Sequence, residues 1–147
     1  MKTQLFQSKI YVKKSSTHGY GVFAGKTFKK GEKIEECYII VSRRGGDKVL
    51  EDFYFDVNGK YGVFTGFGSI YNHSEDANAD YLINEKNRCA TIKAYRPIRK
   101  GEEIFVSYGD EWFSDRGFKP KGEEVKKVKK VKKKTKKSKK SKKSKKK

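Results

Sequence analysis

Three short segments of the sequence carry residue types that could bind a ligand or take part in a reaction. Residues 18–24 (HGYGVFA) place two glycines around a tyrosine, residues 71–78 (YNHSEDAN) are rich in polar side chains, and residues 101–110 (GEEIFVSYGD) include Tyr108. Glycine lets the backbone approach a bound molecule, an asparagine amide both donates and accepts hydrogen bonds, and a tyrosine hydroxyl has a pKa of about 10. Taken singly, each segment is also compatible with a structural role, as a tight turn, a polar turn or a buried strand end.

The two cysteines give no indication of metal chemistry. Cys37 and Cys89 are far apart, and neither has a second Cys or a His nearby at the spacing of zinc ligands. The sequence therefore predicts neither a metal site nor a disulfide framework, which is typical of a reducing intracellular compartment. No apolar stretch approaches the roughly 20 residues needed to cross a bilayer, so we expect no membrane partner.

The elements that would position these residues are predicted to be mostly β-strands. Short runs rich in Val, Ile, Phe and Tyr alternate with glycine and charged turns, and a helical period is weak except over residues 48–55. Residues 59–68 contain four glycines, which predicts a loop packed closely against another part of the chain. The predicted strands are residues 9–12, 21–24, 33–41, 90–94 and 104–108.

One segment occurs twice in outline. Residues 28–34 (FKKGEKI) and residues 98–104 (IRKGEEI) share a Lys-Gly-Glu core at an offset of 70, and an alanine stands four positions before each copy. Both copies predict a turn followed by a strand, with Gly31 and Gly101 at a positive φ that other residues adopt only at a cost.

Charge divides the chain into two regions. Residues 119–147 hold 18 Lys and two Glu, which is +16 of the formal net charge of +19 and leaves +3 for residues 1–118. A segment of this composition cannot bury a core, so we expect residues 114–147 to form a disordered lysine-rich tail beside a folded domain of residues 8–113. The tail is expected to bind nucleic acid through phosphates, without base stacking because it has no aromatic residues between its lysines. Lysine runs are also typical of nuclear import signals, and the sequence leaves open whether the tail serves one of these roles or both.

Together and in this order, the three segments resemble the motifs of SET-domain protein lysine methyltransferases. The motifs are an early Gly-x-Gly turn at Gly19 and Gly21, an Asn-His-Ser segment at residues 72–74, and a Glu-Glu-x-x-x-x-Tyr strand that ends on Tyr108. The resemblance runs from about residue 9 to residue 113. In the short length of this region, the chain is most similar to the small virus-encoded members, which lack cysteine-rich flanking zinc modules. It implies a fold of small curved β-sheets in which the C-terminal segment threads beneath an earlier loop, one of the rare knot-like topologies.

The resemblance also implies a reaction and a set of site residues. A neutral lysine ε-amine would attack the methyl group of S-adenosylmethionine without a metal, and Tyr108 would be the catalytic residue. Aromatic side chains would form the walls of the substrate channel, because aromatic rings tolerate a cationic ammonium. The residues that would bind the cofactor are His18, Gly19, Tyr20, Gly21, Asn72, His73, Tyr108 and Trp112, with Phe113 as an alternative cover for the adenine; those that would line the channel are Tyr20, Phe53, Tyr54 and Phe67.

The implied partners follow from the family and from the tail. A histone-tail lysine in chromatin is the expected substrate, the nucleus the expected location (a host nucleus for a viral protein), and a homodimer the expected assembly, as in the small viral members. Two alternatives stay open. The chain could be a DNA-binding or chromatin-binding protein whose SET fold is weakly active or inactive, or it could methylate a non-histone protein, including its own lysine-rich tail.

Overall fold

The computed structural model describes residues 5–115 and residue 117. The chain divides into two compact units, residues 1–107 and residues 108–147. The described part of the first unit is built from β-strands, and that of the second contains one short helix, so the predicted mostly β class is confirmed. The strands are β1 (Ile10–Lys14), β2 (Tyr20–Ala24), β3 (Lys33–Ser42), β4 (Phe55–Asp56), β5 (Tyr61–Phe64), β6 (Asn72–His73), β7 (Ala79–Asn84), β8 (Cys89–Ala94) and β9 (Glu103–Val106); a 3₁₀ helix spans Glu51–Phe53 and α1 spans Asp110–Asp115.

The first sheet has the strand order β1-β2-β9-β6. β2 pairs antiparallel with β1 and with β9, whereas β6 pairs parallel with β9. The late strand β9 thus lies between the early strand β2 and the mid-chain strand β6. This order brings the three polar segments of the sequence onto adjacent strands.

The second sheet has the order β4-β5-β3-β8-β7, and all its pairings are antiparallel. β8 shows the alternation expected of a sheet with one buried face, since Ala90, Ile92 and Ala94 are buried and the residues between them are half-buried. β3 departs from it, because residues 34–37 are buried in succession beside a register shift between Lys33 and Glu35.

The core receives side chains from both sheets and from the connections between them. Val22 of β2, Ile39 of β3 and Ile104 of β9 have no exposed surface, and Phe28 and Ile98 are equally buried. Phe28 and Ile98 also pair with each other in an isolated antiparallel bridge, so the two copies of the repeated segment meet. Gly31 and Gly101 have φ values of +79° and +89°, which confirms the conformation predicted for both turns.

Several predicted elements were wrong in extent or type. The last predicted strand ends at Val106 and not at Tyr108, and residues 59–68 contain the regular strand β5 inside the predicted loop. Residues 48–50 form a turn, residues 51–53 a single 3₁₀ turn, and Phe55 begins β4. β4, β6, β7 and α1 were not predicted: β4 and β6 have only two residues each, β7 is an edge strand with three of its six residues exposed, and α1 has only six residues, too few to show a helical period.

No helix among the described residues is long and apolar enough to span a membrane. Of the predicted disordered tail, residues 114–147, the structure describes residues 114, 115 and 117, and the first two belong to α1. Its lysine-rich part, residues 119–147, lies outside the described residues, and so do the predictions of nucleic-acid binding and nuclear import made for it.

Candidate active site

A single side chain joins the three polar segments. Asn72 is 7% exposed, and its Nδ2 donates to the carbonyl oxygens of His18 and Tyr20, each at 3.1 Å, and to Oε1 of Glu103 at 2.8 Å. An amide nitrogen carries two hydrogens, so the three acceptors share them. Asn72 therefore holds the loop before β2 against β6 and β9. We call this group, His18, Tyr20, Asn72 and Glu103, the Asn72 hub.

The two glycines of the first segment have different surroundings. Gly19 adopts a φ of +47°, and no atom lies within 4 Å of the place where a Cβ would stand. At Gly21 that place is already taken, since a Cβ would lie 2.1 Å from Oε1 of Glu103 and 3.0 Å from Nδ2 of Asn72. The sequence predicted that both glycines leave room for a ligand, but at Gly21 the room is filled by Glu103. Open space remains at Gly19.

Glu103 and Asn78 belong to the site, although the sequence interpretation did not select either as a site residue. Oε2 of Glu103 accepts a hydrogen bond from the hydroxyl of Ser15 at 2.8 Å. Asn78 is buried, donates to the Glu103 carbonyl and accepts from the Phe105 amide, both at 2.8 Å, and thereby fixes β9. Both residues lie inside the quoted motifs. The signal available in the sequence was a polar residue within a segment that packs into the fold, because such a residue must find hydrogen-bond partners there.

His73 lies on β6 beside the strand that leads to Tyr108. In the parallel pairing His73 stands opposite Val106, and the Ser74 amide donates to the Val106 carbonyl at 3.2 Å. The Nε2 atom of His73 lies 3.1 Å from Oε1 of Glu75. This carboxylate orients the imidazole ring.

A buried carboxylate supports the loop that enters β6. Glu35 is 2% exposed and accepts hydrogen bonds from the Tyr71 hydroxyl at 2.8 Å and the Phe67 amide at 3.0 Å. Burial, with the nearby Glu35 carboxylate, raises the pKa of Tyr71 well above its ordinary value, so Tyr71 remains a hydrogen-bond donor. Since Tyr71 directly precedes Asn72, this pair fixes the position from which the Asn72 hub is built.

The four predicted channel residues lie on three segments of the first unit. Tyr20, on β2, has a side chain that is 67% exposed, and Phe53, in the 3₁₀ helix, is 41% exposed. Tyr54 directly follows that helix, and its ring centroid lies 5.0 Å from that of Tyr61. Phe67 is half-buried in the loop before β6. That these residues form one channel stays a prediction.

The described part of the second unit contains three aromatic side chains close together. The ring centroid of Tyr108 lies 4.9 Å from that of Trp112 and 6.3 Å from that of Phe113, and the Trp112 and Phe113 rings meet edge to face. Burial raises the pKa of Tyr108 to about 12. The Tyr108 hydroxyl is therefore neutral at physiological pH and can donate a hydrogen bond.

In the described part of the chain, no group of three or more His, Cys, Asp or Glu side chains could hold a metal ion. The chemical groups that the first unit does present near the Asn72 hub are carbonyl oxygens, a primary amide and the Glu103 carboxylate. Such a set of acceptors suits the ammonium group of a ligand.

Comparison with known proteins places this arrangement in a family. A family model described as the SET domain matches residues 19–109, which is more than half of the chain. The chain therefore belongs to the SET-domain family. The matched residues include the whole Asn72 hub except the His18 carbonyl.

Individual proteins similar to this chain bear related names. A Schizosaccharomyces pombe protein named histone-lysine N-methyltransferase, H3 lysine-37 specific, is 28% identical over 78% of this chain and 84% of its own length. The histone-lysine N-methyltransferase SET9 of Phaeosphaeria nodorum is 43% identical over 53 residues, which are 36% of this chain and 8% of that protein. The crystal structure of a candidate histone methyltransferase from Plasmodium falciparum superposes with a TM-score of 0.65 at 35% identity, covering 73% of this chain and 98% of that one.

Proposed function

We propose that this chain is an S-adenosylmethionine-dependent protein lysine methyltransferase that acts on a histone-tail lysine. The observation that carries the proposal is the Asn72 hub, in which one buried amide joins all three motifs of a SET-domain protein. A merely structural turn would not need a buried asparagine and a half-buried carboxylate from two distant segments at the same point, because each polar group costs free energy to desolvate.

The first segment would hold the amino-acid end of S-adenosylmethionine, which supplies an electrophilic methyl group. Gly19 has open space beside it, and the exposed backbone from His18 to Tyr20 offers amide and carbonyl groups that the Asn72 hub keeps in place. A carbonyl oxygen has two lone pairs, so those of His18 and Tyr20 can each accept a second hydrogen bond, here from an ammonium group. We assign His73 a polar contact with the same ligand, and Trp112 or Phe113 the cover of its adenine.

Tyr108 would orient the reacting groups. Its raised pKa keeps the hydroxyl neutral, so it donates a hydrogen bond and does not act as a general base. Positioning of this kind lowers a barrier by several kcal/mol when two reactants are held in line. The substrate amine would lose its proton because an apolar channel and a neighbouring sulfonium both lower the pKa of a lysine. Tyr20, Phe53, Tyr54 and Phe67 are the proposed channel walls.

A histone-tail lysine is the proposed substrate because the relatives found by sequence are named as histone-lysine methyltransferases. We extend the proposal to a nuclear location and to a homodimer. Residues 119–147 would tether the enzyme to chromatin, which raises its concentration near histone tails. The relatives named above are fungal and from Plasmodium, so the likeness to virus-encoded proteins stays a prediction.

The test is methyl transfer from radiolabelled S-adenosylmethionine to nucleosomes and to free core histones. Tyr108→Phe should lower the labelling of a histone by about 100-fold or more, because it removes a group that acts in the transition state. Tyr38→Phe, at an exposed position of β3, is the matched control and should retain full activity. Absence of histone labelling by the parent chain would refute the histone substrate, and self-labelling with cofactor alone would indicate the lysine-rich segment as substrate.

A further inference from the structure

A groove with a strongly basic lining lies on the five-stranded sheet, whereas the Asn72 hub belongs to the four-stranded sheet. Its volume is about 670 Å³, within the range of ligand-binding clefts. We call it the basic groove and define it by its lining residues, which are Val41, Arg43, Val57, Lys60, Glu85, Lys86 and Arg88.

The charge of the basic groove is not balanced by the protein. Four cations face a single carboxylate, that of Glu85, which leaves a local charge of +3. Among the described residues, none of the two arginines and two lysines of the groove forms an ion pair with an Asp or Glu side chain. Like charges brought together repel, so an arrangement of this kind indicates a site for an external anion.

The four cations come from three separate connections. Arg43 follows the end of β3, Lys60 closes the turn between β4 and β5, and Lys86 and Arg88 lie in the turn between β7 and β8. The Val57 and Lys60 backbones exchange two hydrogen bonds, and the Arg88 carbonyl accepts from the Ile39 amide at 2.8 Å. The first pair of bonds closes the turn between β4 and β5 on itself, and the last bond joins the turn between β7 and β8 to β3.

Arg88 occupies a backbone position that ordinarily favours glycine. Its φ is +49°, in the left-handed region where a residue with a Cβ is disfavoured. A glycine would close this hairpin turn with less strain. The presence of an arginine at such a position is a local cost, and costs of this kind are typically found where the side chain has a function.

We propose that the basic groove binds the phosphate backbone of duplex nucleic acid. Cations distributed over three connections suit several phosphates in a row better than one small anion. The lining has no aromatic residue, so base stacking is not available and the contact should be independent of sequence and strongly salt-dependent. This surface is part of the folded domain, and it would act in addition to residues 119–147 and independently of methyl transfer.

The first experiment measures the accessibility of individual lysines in the full chain. An amine-reactive acetylating reagent is applied with and without a DNA duplex of about 20 base pairs, and the modified lysines are quantified by mass spectrometry. DNA should reduce acetylation of Lys60 and Lys86 at least about threefold, since phosphate contacts exclude the reagent. Lys29, Lys30 and Lys100, which are exposed on the repeated turns, are internal controls and should be unaffected.

Unchanged acetylation of Lys60 and Lys86, or equal protection of all five lysines, would overturn the proposal. Stronger protection by polyglutamate than by DNA would overturn it too, and would indicate an acidic protein as the partner.

A second experiment removes the cations. Replacing Arg43, Lys60, Lys86 and Arg88 with alanine should lower the slope of log K against log salt for DNA binding by about 3–4, because the four lost phosphate contacts contribute about 0.9 each. The matched variant replaces Lys29, Lys30, Arg99 and Lys100 with alanine, removes the same charge, and should change the slope by less than about 1. Equal slopes for the two variants would contradict a specific role of the groove. Circular dichroism of both variants verifies that each is folded.

Discussion

Replacing Gly21 with alanine tests whether Glu103 fills the space beside this glycine. The added Cβ would stand 2.1 Å from Oε1 of Glu103, so the carboxylate must move. Overpacking of this kind costs about 1–3 kcal/mol. The displaced carboxylate would also lose its hydrogen bonds to Asn72 and Ser15, each 2.8 Å long and worth about 1.5–3 kcal/mol as bonds to a charged group. Since part of each bond can re-form, we expect a loss of about 4 kcal/mol in the free energy of unfolding, a large share of the roughly 5–15 kcal/mol of a natural domain.

The assay is urea unfolding of a double-mutant cycle. In a Glu103→Ala background the obstacle is absent, and Gly21→Ala should be close to neutral or should stabilise by about 0.5 kcal/mol, because alanine has less freedom in the unfolded chain. The expected coupling energy between the two sites is therefore about 3 kcal/mol or more. A cost for Gly21→Ala that is the same in both backgrounds would refute the reasoning. If Gly21→Ala alone fails to fold, recovery of folding in the double variant gives the same answer.

Three further predictions concern buried side chains. Burial raises the pKa of Tyr108 to about 12, so its hydroxyl keeps its proton between pH 7 and about 9, and any rise of the methylation rate over that range should come from the substrate lysine. Tyr108→Phe should therefore lower the rate without shifting the pH profile of methylation, and a shifted midpoint of that profile would contradict this assignment. Burial, reinforced by the Glu35 carboxylate, raises the pKa of the Cys37 thiol, so iodoacetamide at about pH 8 should alkylate the half-buried Cys89 and spare Cys37 in the folded protein. Equal labelling of the two cysteines would contradict this prediction. Tyr71→Phe removes a donor from the buried Glu35 carboxylate and should lower the free energy of unfolding by about 1–3 kcal/mol in urea titrations; a loss no larger than that of the exposed control Tyr38→Phe would show that the bond is unimportant.

The sequence predicts the parts of this fold whose signal is local. Strands with a continuous buried face, such as β2 and β8, are predicted within one residue at each end, and so are the positive φ angles at Gly31 and Gly101. The predictions fail where the structure depends on a distant partner. β5 forms through an otherwise glycine-rich segment because β3 and β4 pair with it on both sides, and that pairing leaves no mark in the residues of β5 themselves.

The site was predictable as a set of segments but not as a set of roles. The motifs indicated that residues 18–21, 72–73 and 101–108 act together, and the structure brings the first two beside Glu103 of the third. The sequence could not show which of these groups bind other parts of the protein and which remain available to a ligand. Asn72 was expected to contact a ligand through its amide, yet its Nδ2 is engaged by protein carbonyls and by Glu103. Gly21 was expected to leave room for a ligand, yet that room belongs to a carboxylate 82 positions along the chain.

The repeated segment joins the two halves of the chain. The Gly31 amide donates to the Ala94 carbonyl at the end of β8, and the Gly101 amide donates to the Ala24 carbonyl at the end of β2, both at 2.7 Å. Each copy of the turn thus closes a strand of the other half of the chain. Such an exchange requires the two turns to have the same backbone shape, and the same shape requires glycine at the same place, which is why the sequences agree there and differ elsewhere.

The hydrogen bond from the turn at Gly101 to β2 also determines where Glu103 lies in the Asn72 hub. Glu102 follows the second turn, its carbonyl accepts from the Ala24 amide at 2.9 Å, and the next residue is Glu103. The turn at Gly101 therefore fixes the register of β9 against β2. This register places the Glu103 carboxylate beside Gly21 independently of its contact with Asn72. A one-residue slip of β9 would turn Glu103 to the other face of the sheet, because side chains alternate along a strand. The repeated turn, which contains no residue proposed to touch a ligand, is thus a requirement of the site.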